Sequence, residues 1–233
     1  GTLTSRLVEK AGKVIAIELD KKMLQILNDR FALYNNFSLI NEDVLKVNLN
    51  DLIQQENTQN YTVKIVANLP YYITTPIIMK LLEEKLNIDS ITVMVQKEVA
   101  DRLTEIPGGK NTGAITYCVY YYSEPQEVLT VPNTSFVPEP KVCSEVIKLN
   151  IRKEPPVVLK DEKIFFKVVK ASFMQRRKTL INALVNGGIL QNKDKAKKLF
   201  DELKLDYNTR GETLSLEKFA EISNYIIESE NSN

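Results

Sequence analysis

Residues 64–95 read KIVANLPYYITTPIIMKLLEEKLNIDSITVMV, and this stretch decides the fold. Lys64 to Ala67 is a short apolar run of strand-forming residues, stopped by Asn68-Leu69-Pro70. Residues 75–86 follow with helical spacing. Thr75 is placed to cap that helix and Pro76 falls at its first position, where a missing N–H costs nothing. Residues 91–95, Ile-Thr-Val-Met-Val, make the next strand. Strand, helix and strand in succession build a mostly parallel sheet with helices on its faces.

The same alternation extends toward the N-terminus. Val14-Ile-Ala-Ile17 is a four-residue strand following Gly12, which is expected to end a preceding helix. Residues 20–30 show helical spacing at Met23, Leu24 and Leu27, and residues 37–40 form another strand. Residues 99–103 continue as a short helix, broken at Pro107-Gly-Gly109. Beyond this point the pattern changes. Residues 127–131 and 142–151 read as two strands joined by a proline-rich loop from Pro132 to Pro140, close enough to pair antiparallel at a sheet edge. After Pro155-Pro156 only helices are expected, over residues 163–174, 179–185, 193–203 and 216–227. An α/β domain over residues 1–154 and a small all-α domain over residues 155–233 are therefore expected, with a frayed polar tail from Glu228.

Composition narrows the chemistry. The 233 residues are 43% hydrophobic and 26% charged, as in ordinary globular proteins. No run of 18 apolar residues exists to span a membrane, and no charged-then-apolar leader opens the chain. Histidine is absent, which removes imidazole acid–base work, Ser-His-Asp hydrolysis and most zinc sites. Cys118 and Cys143 form no CxxC, so no metal is expected and reduced thiols in the cytoplasm are the default. The net charge of +1 is uneven: residues 1–150 carry 15 basic and 18 acidic side chains, whereas residues 160–178 carry seven basic and two acidic ones. Such a cluster is able to bind a polyanion, although charge alone favours a solvated helix face.

Five places carry candidate chemistry. Glu18 follows the strand at residues 14–17, where a carboxylate is able to accept both hydroxyls of a ribose; the dipole of the next helix would favour an acid there too. Asp43, after the strand at 37–40, is able to accept from an adenine amine or to serve as a loop acid. Asn68-Leu69-Pro70-Tyr71 ends a strand, where open α/β sheets bind ligands. The amide supplies an acceptor, Pro70 biases Leu69 to extended backbone, and Tyr71 offers a stacking face; a plain turn with Tyr71 in the core is the alternative. Phe136, in a loop held extended by Pro138 and Pro140, is placed either as a second aromatic wall or as packing for the edge hairpin. Arg176, Arg177 and Lys178 point in three directions on any helix, toward phosphates or toward a domain interface.

These pieces together resemble the ribosomal RNA adenine dimethyltransferases that use S-adenosylmethionine, and especially the KsgA type acting on small-subunit RNA. The matching stretches are Ile17-Glu18-Leu-Asp20, Asn68-Leu-Pro-Tyr71, Phe136-Val-Pro-Glu-Pro-Lys-Val142, Phe173-Met-Gln-Arg-Arg-Lys178 and Arg210-Gly-Glu-Thr-Leu-Ser215, in family order. The resemblance implies a Rossmann-like class I methyltransferase sheet with a small helical C-terminal domain. It also implies that Gly1 is the last glycine of a cofactor loop whose first strand and preceding arm are missing from this sequence. Glu18 would hold the cofactor ribose; Asp43, beside Val44, its adenine; and Asn68 its methionine end. The Asn68 side chain and Leu69 carbonyl would accept from the target adenine amine, sandwiched between Tyr71 and Phe136. Arg176, Arg177 and Lys178 would contact RNA. The implied activity is dimethylation of adjacent adenines in small-subunit ribosomal RNA, linked to ribosome biogenesis, by a cytoplasmic monomer acting on the 30S particle without a metal. The rival readings are the antibiotic-resistance relative acting on large-subunit RNA, and a non-catalytic RNA-binding assembly factor.

Overall fold

The computed structural model describes residues 1–175 and 177–231. The chain forms two compact units. The first comprises Gly1–Val63 and Thr75–Asn87. It holds α1 (Thr2–Val8), β1 (Val14–Ile17), α2 (Lys21–Phe31), β2 (Phe37–Ile40), α3 (Leu49–Glu56) and all but the first residue of α4 (Thr74–Glu83). β1 and β2 run parallel, with Val14 opposite Phe37 and Ile17 opposite Ile40. α2 forms because its apolar residues recur on one stripe and Asp20 caps its start, accepting from the Lys22 amide at 2.9 Å. That stripe buries Leu27 and Phe31 with Val8, against Met23, Val14, Phe37 and Leu39. The Phe31 and Phe37 rings stand 4.7 Å apart. The Asn36 amide donates to the Val8 and Ala11 carbonyls, each at 2.9 Å, and so satisfies the end of α1.

Two local expectations change here. α1 ends with Glu9 in ordinary right-handed geometry, so Gly12 does not cap it. Gly12 instead lies under the Tyr61 ring: a Cβ there would come within 2.7 Å of it, so the exposed ring would have to shift. α4 begins at Thr74, one residue before the expected cap Thr75.

The second unit comprises Lys64–Thr74 and Ile88–Asn233. Its sheet holds β3 (Lys64–Asn68), β4 (Ser90–Gln96), β5 (Ser123–Val131) and β6 (Ser144–Ile151) in the order β3-β4-β6-β5. β3 and β4 are parallel, while β6 runs antiparallel to both β4 and β5. Among the described residues, β1 and β3 each have a strand partner on one side only. α5 (Lys97–Thr104) and α6 (Ala114–Tyr122) lie between β4 and β5 in the chain, and α7 (Glu162–Met174), α8 (Leu180–Asn186), α9 (Lys193–Glu202) and α10 (Leu216–Asn231) follow β6.

The sequence pattern does not announce α6. Its residues, AITYCVYYY, are rich in strand formers and apolar on nearly every side. Such a segment becomes a helix when it is buried all round. Tyr117 and Tyr121 of α6 lie in one continuous core with Phe165 of α7, Leu184 of α8, Phe200 of α9 and Phe219 of α10. The buried Tyr117 hydroxyl donates to the Leu214 carbonyl at 2.6 Å. Gly211 is packed so close that a Cβ would sit 2.7 Å from that of Ser172.

Candidate active site

In the first unit, the expected cofactor residues stand at one end of the β1–β2 pair. Glu18 directly follows β1; its amide donates to the Ile40 carbonyl at 2.9 Å, extending the ladder by one residue. Its half-buried carboxylate accepts from the Asp20 amide through Oε1 at 2.8 Å. Asn41, which sequence reading passes over, donates from Nδ2 to the Glu18 carbonyl at 2.8 Å and to the Leu19 carbonyl at 3.3 Å. An exposed asparagine after an apolar strand gives no periodic signal, so only its contacts reveal it. Asp43 forms a tight Asx turn: Oδ1 accepts from the Leu45 amide at 2.9 Å, and the Asp43 carbonyl accepts from Lys46 at 2.8 Å. Val44 is half-buried beside it. Gly1 caps α1 through its carbonyl, which takes the Ser5 amide and hydroxyl at 2.9 Å each.

In the second unit, Asn68 is the last residue of β3, opposite Met94 of β4, with its side chain exposed. Leu69 is buried beneath the chain reversal. Pro70, with φ −60° and ψ 129°, turns the chain into a single 3-10 turn, Tyr71–Ile73. The Pro70 carbonyl accepts from the Ile73 amide and from the Thr74 hydroxyl, each at 3.1 Å. Thr74 is itself buried, so the turn is stapled from inside. The half-buried Tyr71 sets its hydroxyl 2.7 Å from that of Ser144.

Phe136, also half-buried, follows a second 3-10 turn, Asn133–Ser135, and donates its amide to the Asn133 carbonyl at 3.2 Å. Asn133 ties the loop together, donating to Glu139 Oε1 at 2.6 Å and to the Pro140 carbonyl at 3.4 Å. The Val137–Pro138 peptide is cis.

The basic candidates lie after α7. Arg177 and Lys178 are exposed, and Arg176 falls outside the described residues. On α7, Lys163, Lys167 and Lys170 are all exposed. Their spacing of four and three residues puts them on one helix face. None of the three has an ion-pair partner among the described residues. A separate polar cleft of about 300 Å³ is lined by Glu98, Asp101 and Arg102 of α5 together with Lys110, Thr112 and Glu212, and contains none of the expected site residues. No cluster of three metal-ligating side chains occurs among the described residues, and no helix is long and apolar enough to cross a membrane.

Tyr117, Tyr121 and Tyr122 of α6 have ionisations displaced from the ordinary phenol range. Burial raises the Tyr117 phenol. Burial and then the Glu162 carboxylate push Tyr121 up to about 12 and raise Tyr122 further.

Known proteins share both sequence and fold with this chain. Residues 1–228 match the family described as ribosomal RNA adenine dimethylase. Ribosomal RNA small subunit methyltransferase A of Bacillus cytotoxicus is 48% identical over 229 residues, covering 97% of this chain and 78% of that protein. The protein of the same name from a Geobacillus strain is 48% identical over 230 residues, with 97% and 78% covered. Among solved structures, a dimethyladenosine transferase from Plasmodium falciparum superposes with a TM-score of 0.75 at 23% identity, covering 95% of this chain and 84% of that one. The 23S rRNA methyltransferase ErmE superposes with a TM-score of 0.68 at 21% identity, covering 97% and 87%. These two carry the fold, a Rossmann-like methyltransferase with helices after the sheet. The family match over nearly the whole length, joined to relatives of such identity, shows that this chain belongs to the ribosomal RNA adenine dimethylase family.

Proposed function

We propose that the chain dimethylates the exocyclic amine of adjacent adenines in small-subunit ribosomal RNA, with S-adenosylmethionine as donor. The observation that carries the choice of subunit is the identity with the Bacillus and Geobacillus small-subunit enzymes. The donor set suits the cofactor. Two half-buried carboxylates, Glu18 and Asp43, follow neighbouring parallel strands and each already orders its own backbone turn. Carboxylates are acceptors only, matched to ribose hydroxyls and an adenine amine. When bound, the cofactor supplies a sulfonium-activated methyl group, the difficult part of the chemistry.

The chain's own work is positioning. Glu18 holds the ribose, Asp43 with Val44 the cofactor adenine, and Gly1 opens the helix at the cofactor loop. The Asn68 side-chain oxygen and the Leu69 carbonyl accept from the target amine. Two acceptors on that nitrogen draw it toward tetrahedral geometry and free a lone pair otherwise delocalised into the ring. Tyr71 and Phe136 sandwich the extruded base and fix its approach, which supplies much of the acceleration. The alkylated nitrogen is strongly acidic, so its proton passes to solvent and no imidazole is needed. The exposed lysines of α7, with Arg177 and Lys178, follow phosphates. The second methyl group arrives in a second cycle on the same pocket.

The test is calorimetric titration of the 233-residue chain with S-adenosylmethionine, followed by methyl transfer to isolated ribosomal subunits. Cofactor binding and transfer to small subunits lacking the modification is the expected result. Transfer to large subunits instead would assign the antibiotic-resistance activity. RNA binding without cofactor binding or transfer would make the chain an assembly factor.

A further inference from the structure

We propose that Ser144 is a positioning residue that orients Tyr71 for stacking on the target base. This rests on reading Tyr71 as one wall of the base clamp. The Tyr71 and Ser144 hydroxyls are 2.7 Å apart, although 73 residues separate them in the chain. Ser144 is fully buried at the first position of β6. That strand is central in its sheet, with Gln96 opposite Ser144 on one side and Val131 on the other. The serine is therefore held by two ladders and has little freedom to follow the ring. Its hydroxyl makes no other side-chain hydrogen bond among the described residues. A buried hydroxyl without a partner is unfavourable, so the pair is mutually enforcing.

The consequence falls on Tyr71. Its backbone is fixed by the Pro70–Thr74 staple, but a half-buried phenol at a turn retains rotation about its side-chain bonds. The bond to Ser144 removes that rotation before the base arrives. Ordering that would otherwise occur on binding is then already complete. The geometry also links the two walls. The loop carrying Phe136 runs directly into Ser144, so one hydroxyl pair ties Tyr71 to the strand on which that loop ends.

The experiment uses a single-stranded RNA oligonucleotide carrying one 2-aminopurine, whose fluorescence is quenched by stacking, and a matched oligonucleotide with an abasic residue at that position. Tyr71→Ala is expected to abolish the difference between the two. Ser144→Ala and Tyr71→Phe each remove one neutral hydrogen bond, so each is expected to weaken binding of the 2-aminopurine oligonucleotide about three- to tenfold while leaving the abasic one unchanged. The double variant should be no weaker than either single one, because both remove the same bond. Folding is checked by circular dichroism, and Tyr71→Phe asks the same question if Ser144→Ala does not fold. Multiplicative effects, a Ser144→Ala or Tyr71→Phe chain that stacks as the wild type does, or equal weakening on both oligonucleotides would overturn the proposal. If Tyr71→Ala itself leaves quenching intact, the clamp reading fails, and that result is distinct from failure of Ser144 alone.

Discussion

Lys97 Nζ lies 3.0 Å from Glu145 Oε2, and the two side chains differ greatly in exposure, 47% against 4%. A carboxylate this buried on a central strand needs a partner. Lys97 is the first residue of α5, where the helix dipole opposes a positive charge. Its position makes sense only through Glu145, with Asp101 one turn along at 3.1 Å as a second acceptor. Those bonds, Glu145 first and then Asp101, raise the Lys97 ammonium above its ordinary range. Lys97→Met should destabilise the chain by about 3 kcal/mol, since it strands a buried charge. Asp101→Asn should cost under about 1 kcal/mol, because that pair is exposed. Urea melts at pH 7 decide it; equal effects from the two variants would show that Glu145 is solvated after all.

Alkaline pH should weaken the helical core. The Tyr117, Tyr121 and Tyr122 phenols are all raised, by burial first and, for the last two, by Glu162 next. A folded value above the unfolded value of ~10 means that the unfolded chain gives up these protons first. Their contribution is complete below pH ~10 and is lost as pH rises through the folded values. Lys97 acts in the same direction. The melting temperature should hold between about pH 7 and 9 and fall beyond ~10. Glu162→Gln should bring the Tyr121 ionisation down from about 12. An unchanged titration would remove Glu162 as a cause.

The site itself should divide by role. If Tyr71 and Phe136 form the proposed clamp, Tyr71→Ala and Phe136→Ala each remove a stacking face worth about 1–3 kcal/mol per base. That effect should appear chiefly in KM for the RNA. If Asn68 accepts from the target amine as proposed, Asn68→Ala should instead lower kcat, because that acceptor would act on the nitrogen as it becomes tetrahedral. Steady-state methyl transfer to small subunits separates the two, and an Asn68→Ala enzyme with normal kcat would end the acceptor assignment.

The lysine face of α7 makes an ionic-strength prediction. Replacing one lysine that neutralises a phosphate should flatten the log–log salt dependence of single-strand RNA binding by roughly 0.7. Lys163→Ala, Lys167→Ala and Lys170→Ala combined should flatten it by roughly 2 if all three track the backbone. An unchanged slope would make this row a solvated surface.

Much of this architecture is legible in the sequence because strands end where their residues change character. Residues 14–17 and 37–40 are short apolar runs between polar punctuation, and the strands the structure shows have those same bounds. β5 is longer than its apolar pattern, since Ser123-Glu-Pro-Gln breaks the pattern while the backbone still pairs with β6. α6 is hidden for the opposite reason: nothing in AITYCVYYY alternates, and only its burial explains the helix. At the site, the motifs at strand ends are readable, but not the groups that hold them. Ser144, Thr74 and Asn41 are ordinary polar residues whose role comes from contacts distant in the chain or made through the backbone.

Asn41 offers the clearest case in which such a holding role can be measured. Its side-chain amide spans the carbonyls of Glu18 and Leu19, and so fixes the direction in which the chain leaves β1. The Glu18 carboxylate is then aimed by its own bond to the Asp20 amide. Asn41→Leu removes both donated bonds while keeping a similar volume. If Glu18 binds the cofactor ribose, affinity for S-adenosylmethionine should fall about tenfold, as for removal of one or two hydrogen bonds' worth of ordering. Glu18→Gln retains the Asp20 bond but lacks the charge that strengthens hydrogen bonds from hydroxyls, and should fall by a similar or larger factor. The decisive comparison is Asn41→Leu in a Glu18→Ala background. If Asn41 acts through Glu18, the second substitution adds nothing to the calorimetric effect. A full additional weakening would mean that Asn41 meets the cofactor itself, and the turn after β1 would then have to be redrawn as a direct contact.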